Sequence, residues 1–290
     1  MRFAVFSVGL PEHTPEEAVA LLRDAGYDGV EWRVVDQQPS ADGRPGFWRG
    51  NRCTWPLATL LDDAPRLKAL TDGAGLAMPV LGTYATCHDL NAVERAMRGA
   101  QLLGVPQLRV NAGSYDGTKS YLAMRGESLA RYREVESMAR SHGVRALAEL
   151  HHRSLLPSAS AAAAFLSGFD PQHVGVIHDA GNFVYEGFEQ YRLGLETLGP
   201  YLAHVHLKSA RWRSVGKRPD GSTEWQAEAA PLTEGIVDLT ALFRALRQVG
   251  YDGWVSFEDF STERPVAERL RANLAYVRRV VDVVDAESLG

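Results

Sequence analysis

The chain has 290 residues, 45% hydrophobic and 23% charged, with a formal net charge of −5, the balance of a soluble globular protein. Net negative charge repels an extended phosphate backbone, and no apolar run reaches the roughly 18 residues of a membrane span, so neither nucleic acid nor membrane is expected as a partner. Two cysteines, Cys53 and Cys87, make neither a disulfide framework nor a Cys-rich zinc site; with a first strand starting at Arg2 and no leader before it, the expected location is the cytoplasm.

Residues 3–8 form a short apolar run that reads as a buried strand. Thr14 caps a helix that has Pro15 at its first position and Gly26 beyond its end. Residues 29–32 are the second strand, and a Gly- and Pro-containing connection from Asp36 to Thr54 follows, longer than most. The pattern then continues as a helix over 57–73, strand three over 76–83, a helix over 90–103 and strand four over 106–110. A long helix over 119–142 leads to strand five at 144–149, and Ser158 caps a helix that ends at 166. Strand six spans 174–177, a helix 185–198 and strand seven 202–207. A second long loop covers 209–234, before a helix over 239–249, strand eight over 253–257 and a closing helix over 263–284.

Strands that alternate with helices imply parallel pairing with helical crossovers. Eight such units close a barrel. A doubly wound open sheet competes, but no Gly-x-Gly-x-x-Gly follows strand one. The expected architecture is α/β: one (β/α)8 barrel domain over 1–290 with loop insertions after strands two and seven. On a barrel both insertions lie on the active-site face, where they act as lids.

Four strands end in a metal-ligand side chain. Glu149 ends strand five, Asp179 follows strand six, His206 lies on strand seven and Glu258 ends strand eight. Each alone fits a helix cap or an arginine pair, but one such residue on four consecutive strands points to a shared ion. Three carboxylates and an imidazole suit Mn²⁺ best, with Mg²⁺, Co²⁺ or Zn²⁺ also compatible. The ion would polarise a carbonyl and its neighbouring hydroxyl. Glu149 and Glu258 would then form an acid/base pair, one taking a proton beside the carbonyl and the other returning one.

These residues resemble the sugar phosphate isomerase/epimerase group of xylose isomerase-like TIM barrels, the AP endonuclease family 2 superfamily, most strongly from Gly143 onward. Glu149-Leu150-His151 resembles its Glu-x-His. Asp179-Ala180-Gly181-Asn182 resembles its Asp-x-x-His, with Asn182 in place of the His. His204-Val205-His206-Leu207-Lys208-Ser209 resembles its His-x-His-x-Lys-Asp, with Ser209 in place of the Asp. The segments 231–235 and 250–258 resemble its closing region. The resemblance implies the same four metal ligands and the same two acid/base residues.

His151 shares a face with Glu149 and either contacts substrate or supports the site from behind. Lys208 either stabilises an enediolate oxygen or neutralises the carboxylates. Glu31 either binds substrate hydroxyls or pairs with Arg33 or Arg109. Asn182 is placed beside the substrate by the motif it interrupts. Arg211, with Arg213, Lys217 and Arg218, reads as either a phosphate site or a solvated loop. Trp32, Trp48, Trp55, Trp212 and Trp225 lie mostly in or beside the insertions, where they stack on a sugar, pack a lid or form a homo-oligomer interface. His178 faces outward and reads as structural.

The expected function is a metal-dependent isomerase or epimerase of a sugar, keto-sugar or polyol derivative, acting through an enediolate. A lyase on the same scaffold competes, dehydrating an inosose or cleaving an oxidised glycoside. DNA repair of the apurinic endonuclease type would need more histidines and sits poorly with the charge. A non-catalytic sugar-binding barrel sits poorly with an intact ligand set.

Overall fold

The computed structural model describes residues 1–287. In chain order the elements begin with β1 (Arg2–Phe6), α1 (Pro15–Ala25), β2 (Gly29–Val34), β3 (Thr54–Trp55) and α2 (Leu60–Gly73). They continue with β4 (Leu81–Thr83), α3 (Leu90–Leu103), β5 (Gln107–Arg109), α4 (Tyr121–His142), β6 (Arg145–Glu149) and α5 (Ala159–Leu166). Then come β7 (Val174–Asp179), α6 (Ala180–Tyr185), α7 (Tyr191–Leu198) and β8 (Leu202–Leu207). The last are β9 (Ser209–Lys217), β10 (Thr223–Ala230), α8 (Leu239–Gln248), β11 (Trp254–Phe257) and α9 (Val266–Glu287).

The ring runs β1–β2–β4–β5–β6–β7–β8–β11 and closes where β1 pairs in parallel with both β2 and β11. This is the expected (β/α)8 barrel. Local chemistry sets its boundaries. Thr14 and Glu17 form a reciprocal capping box at α1, and Gly26 ends that helix at φ 84°, a conformation that glycine adopts without a Cβ penalty. Ser158 caps α5 by accepting from the Ala161 N–H.

Alternation along the strands sorts their side chains between two layers. Trp32 points outward into the strand–helix layer, where its Nε1–H donates to Thr71 Oγ1 at 3.0 Å. Leu147, Ile177 and Val80 pack together, and the first two stand one alternation below Glu149 and Asp179. The floor of the site is therefore apolar. Gly82 leaves room for the Phe6 ring, whose nearest atom lies 2.2 Å from where a Cβ would be.

Several elements differ from expectation; strand three, expected over 76–83, is confined to β4 at Leu81–Thr83, and the short β3 was not expected. The segment 209–234 is no loop: β9 and β10 pair antiparallel. Its alternation carries polar residues on both faces, so no apolar stripe marks it. The Pro219-Asp220-Gly221 turn, with the Gly221 N–H donating to the Arg218 carbonyl, was the available signal. The helix expected over 185–198 splits into α6 and α7, with Gly187 at φ 82° between them. Strand six continues to Asp179, because His178 and Asp179 pair with β8. Among the described residues no helix is long and apolar enough to cross a membrane.

Candidate functional site

Glu149 and Asp179 are the last residues of β6 and β7, His206 is one short of the end of β8, and Glu258 follows β11. All four are buried, and a ligand atom from each lies within 4.8 Å of the others. His206 Nδ1 is 3.3 Å from Glu149 Oε1, 3.9 Å from Asp179 Oδ2 and 4.0 Å from Glu258 Oε2. The Lys208 ammonium lies between the Asp179 and Glu258 carboxylates, 2.6 Å from Asp179 Oδ2 and in short contact with Glu258 Oε2. In this contact Lys208 offsets the charge of both carboxylates.

The donor chemistry fits a hard divalent cation. Four buried carboxylates, Glu31, Glu149, Asp179 and Glu258, meet around His206, with the buried cations Arg109 and Lys208 beside them, so the cluster is rich in negative charge. Asp179 Oδ2 forms an ion pair with Lys208 but its geometry gives it no hydrogen-bond donor among the described residues. The Lys208 ammonium offsets its charge, and a bound divalent cation would take its free lone pair.

Glu31 corrects an expectation. It pairs with neither Arg33 nor Arg109, and it does not line the cavity above the carboxylates. Its Oε2 lies 3.2 Å from His204 Nε2 and 3.0 Å from His206 Nε2, because β2 aims it across the barrel interior towards β8. His204 Nε2 is also 2.9 Å from Ser256 Oγ. Glu31 holds the Nε2 side of His206 and leaves Nδ1 facing the carboxylate cluster, the arrangement usual for a metal-binding histidine. Glu31, His204 and His206 form a second close acidic–histidine group that shares His206.

Arg109 is committed elsewhere. Its Nη1 lies 2.6 Å from Glu149 Oε2 and its Nε donates to the Thr83 carbonyl at 2.8 Å. Burial opposes ionisation of Glu149, yet the Arg109 guanidinium and a hydrogen bond from His206 hold its carboxyl well below the usual range. Burial lifts the carboxyls of Glu258 and Asp179 above it, even with Lys208 beside both. Burial also opposes protonation of His206, but Glu31 and Glu149 raise it well above the ordinary imidazole value.

A cavity of about 740 Å³ opens above the cluster, lined among others by Glu149, His151, Asn182, Lys208 and Glu258. Asp179 and His206 lie beneath it. Arg211 is a second correction: it lies outside this lining, and its guanidinium pairs with Glu228 at 3.0 Å, Glu234 at 3.5 Å and Glu263 at 3.5 Å. The hairpin register places Arg211 directly opposite Glu228, and this half-buried cross-strand pair satisfies the charge there. Of the five tryptophans named from sequence, Trp48 lines the cavity, while Trp32 and Trp55 belong to the core.

The cavity also holds residues that sequence reasoning passed over. Tyr84 directly follows β4, and Arg109 lies 4.2 Å over its ring; its position at a strand end was the missed signal. Phe260, two residues past Glu258, packs against Phe47 and Trp48 with ring centroids 5.1 and 5.0 Å apart. No local pattern relates residues so distant in sequence. His152 is the third and adjoins His151 on the wall.

A family model described as xylose isomerase-like TIM barrel matches residues 19–280. The chain belongs to this family. Among solved structures, a 3-keto-D-glucoside 4-epimerase from E. coli superposes with TM-score 0.71 at 18% identity, over 96% of this chain and 99% of that one. D-Psicose 3-epimerase from Clostridium cellulolyticum H10, solved with D-tagatose, gives TM-score 0.69 at 17% identity, over 97% and 99%. A xylose isomerase-like barrel protein from Mycobacterium smegmatis in complex with magnesium gives 0.71 at 17%, over 98% and 97%. In sequence, the inosose dehydratase of Geobacillus thermodenitrificans (strain NG80-2) is 30% identical over 120 residues, 38% of this chain. That match spans 39% of the dehydratase's length.

Proposed function

We propose that this protein is a divalent-metal-dependent epimerase or isomerase of a sugar or keto-sugar. The observation that carries the reading is the convergence of Glu149, Asp179, His206 and Glu258 within 4.8 Å at the base of a cavity. Similarity to barrels named as sugar epimerases supports the substrate class. Glu149, Asp179, His206 and Glu258 would hold the ion, with Mn²⁺ the preferred identity and Mg²⁺, Co²⁺ or Zn²⁺ compatible with the donors. When bound, it supplies Lewis-acid polarisation of a carbonyl and the hydroxyl beside it.

The protein's own groups do the proton work. Glu149 and Glu258 both border the cavity, and the two strands β7 and β8 separate them around the ring. One carboxylate removes the proton from the carbon next to the carbonyl, and the other delivers a proton to that carbon or its neighbour. Arg109 orients the Glu149 carboxylate. Lys208 offsets negative charge as it develops on the substrate oxygens.

Deuterium wash-in beside the carbonyl tests this. With Mn²⁺ present, D-tagatose, D-psicose and 3-keto-glucosides are incubated in D₂O and followed by NMR. Glu149→Gln and Glu258→Gln should each lower exchange by roughly 10²- to 10⁴-fold, the contribution of a positioned acid or base. Exchange unaffected by both substitutions would sink the reading. The match to an inosose dehydratase favours a second reading, loss of a hydroxyl β to the same carbon. Conversion of 2-keto-inositol to a dehydrated product, without epimerisation of any ketose, would decide for it.

A further inference from the structure

One stretch of the cavity wall is a stack of three rings. His151 and His152 lie with centroids 4.3 Å apart and 23° between planes, and His152 and Tyr185 with 4.6 Å and 20°. All three line the cavity. Hydrogen bonds fix the tautomer of both imidazoles. Asn182 Nδ2 donates to the Leu150 carbonyl at 3.0 Å; a carbonyl only accepts, so the amide oxygen is the atom turned to His152. His152 Nδ1, 3.1 Å from that oxygen, therefore carries the proton. His151 Nδ1 likewise donates to the His152 carbonyl at 2.6 Å. An imidazole whose single proton is held on Nδ1 keeps a free lone pair on Nε2. Neither Nε2 has a hydrogen-bond partner among the described residues, whereas each Nδ1 does.

The loop that carries the pair is clamped. Arg153 has φ 56°, the one positive value at a non-glycine among the described residues. Its N–H donates to Glu186 Oε2 at 2.6 Å and its carbonyl accepts from the Tyr115 N–H at 2.8 Å. Strain of this kind persists where surrounding contacts over-determine the backbone, and it concentrates at ligand sites. Burial and the neighbouring His151 depress the His152 pKa to about 4, and the cations Lys208 and Arg153 act in the same direction. The acceptor character of Nε2 therefore holds at neutral pH.

We propose that His151 and His152 form a hydroxyl-accepting subsite, in which the two Nε2 atoms take hydrogen bonds from two hydroxyls of an uncharged polyol portion of the substrate. The inference rests on the sugar reading above and extends it: the site selects for O–H donors at the end of the substrate remote from the reacting carbon. A deoxy carbon offers these nitrogens no proton, and an ionised phosphate or carboxylate offers only further lone pairs.

Histidine side-chain ¹⁵N NMR tests it without turnover. The Mg²⁺-loaded, ¹⁵N-histidine-labelled protein is titrated with myo-inositol and with D-tagatose. The free protein should show Nδ1–H at His151 and His152, and saturation should move both Nε2 resonances. His152→Phe keeps a ring in the stack and removes the acceptor; it should weaken polyol binding roughly 3- to 10-fold, the worth of one hydrogen bond, and leave Mg²⁺ affinity unchanged. His152→Gln, which restores an acceptor, should recover part of the loss. Saturation that leaves both Nε2 resonances unmoved, failure of both polyols to bind, or unweakened binding by His152→Phe would each overturn the subsite. Shifted Nε2 resonances without any deuterium exchange would uphold the subsite and overturn the epimerase reading instead.

Discussion

Arg109 and Glu31 do for the site what none of its four expected ligands can do alone. Arg109 keeps Glu149 charged inside a buried cluster, so Arg109→Met should leave an uncompensated carboxylate. The expected cost is about 3–5 kcal/mol, read by urea unfolding of the metal-free protein, and adding Glu149→Gln should recover part of it. Equal stability of wild type and Arg109→Met would contradict this. Glu31 holds the His206 Nε2 side, so Glu31→Ala should weaken Mn²⁺ binding roughly 10- to 100-fold by calorimetry; unchanged affinity would remove Glu31 from the metal site. The ligand positions were legible because each sits at or beside the end of a strand. Glu31's partners were not, because His204 lies 173 residues away and only barrel closure brings β2 across from β8.

At the scale of elements, α6 packs closely against the β8–β9 junction. A Cβ at Gly181 would stand 2.2 Å from Lys208 Cγ and 2.9 Å from the Lys208 carbonyl oxygen. Gly181→Ala should therefore displace Lys208 or α6, lower stability by about 1–3 kcal/mol and weaken metal binding, measured by thermal unfolding and calorimetry. A variant with unchanged melting would show that the junction gives way easily. The β9–β10 hairpin is anchored to the same helix, since Trp212 Nε1–H donates to the Val184 carbonyl at 2.8 Å. Trp212→Ala should speed amide exchange in residues 209–230 while leaving the barrel strands protected. The hairpin was missed because exposed strands with charge on both faces carry no hydrophobic alternation, and its arginines were misjudged for the same reason: their carboxylate partners lie on the strand opposite.

For the whole molecule, the crowding of buried carboxylates at the cluster would link metal binding to folding. Mg²⁺ at about a hundred times its Kd should stabilise the fold by about 2.7 kcal/mol, seen as a raised melting temperature that a chelator reverses. A melting temperature indifferent to both would show that the ion binds folded and unfolded chains alike or not at all. The sequence by itself determined the barrel, through the period of its strands and helices and the caps between them, and it determined which side chains end those strands. These are local properties, set by alternation and by capping chemistry. Only the tertiary structure decided that Glu31 supports His206 from inside the barrel, that Arg109 belongs to Glu149, that Arg211 turns away to its carboxylates, and that His151 and His152 stack on the cavity wall. The Glu31 and Arg109 contacts join strands that no sequence period relates, and they are settled by where closure of the ring sets charged groups that burial will not leave unpaired.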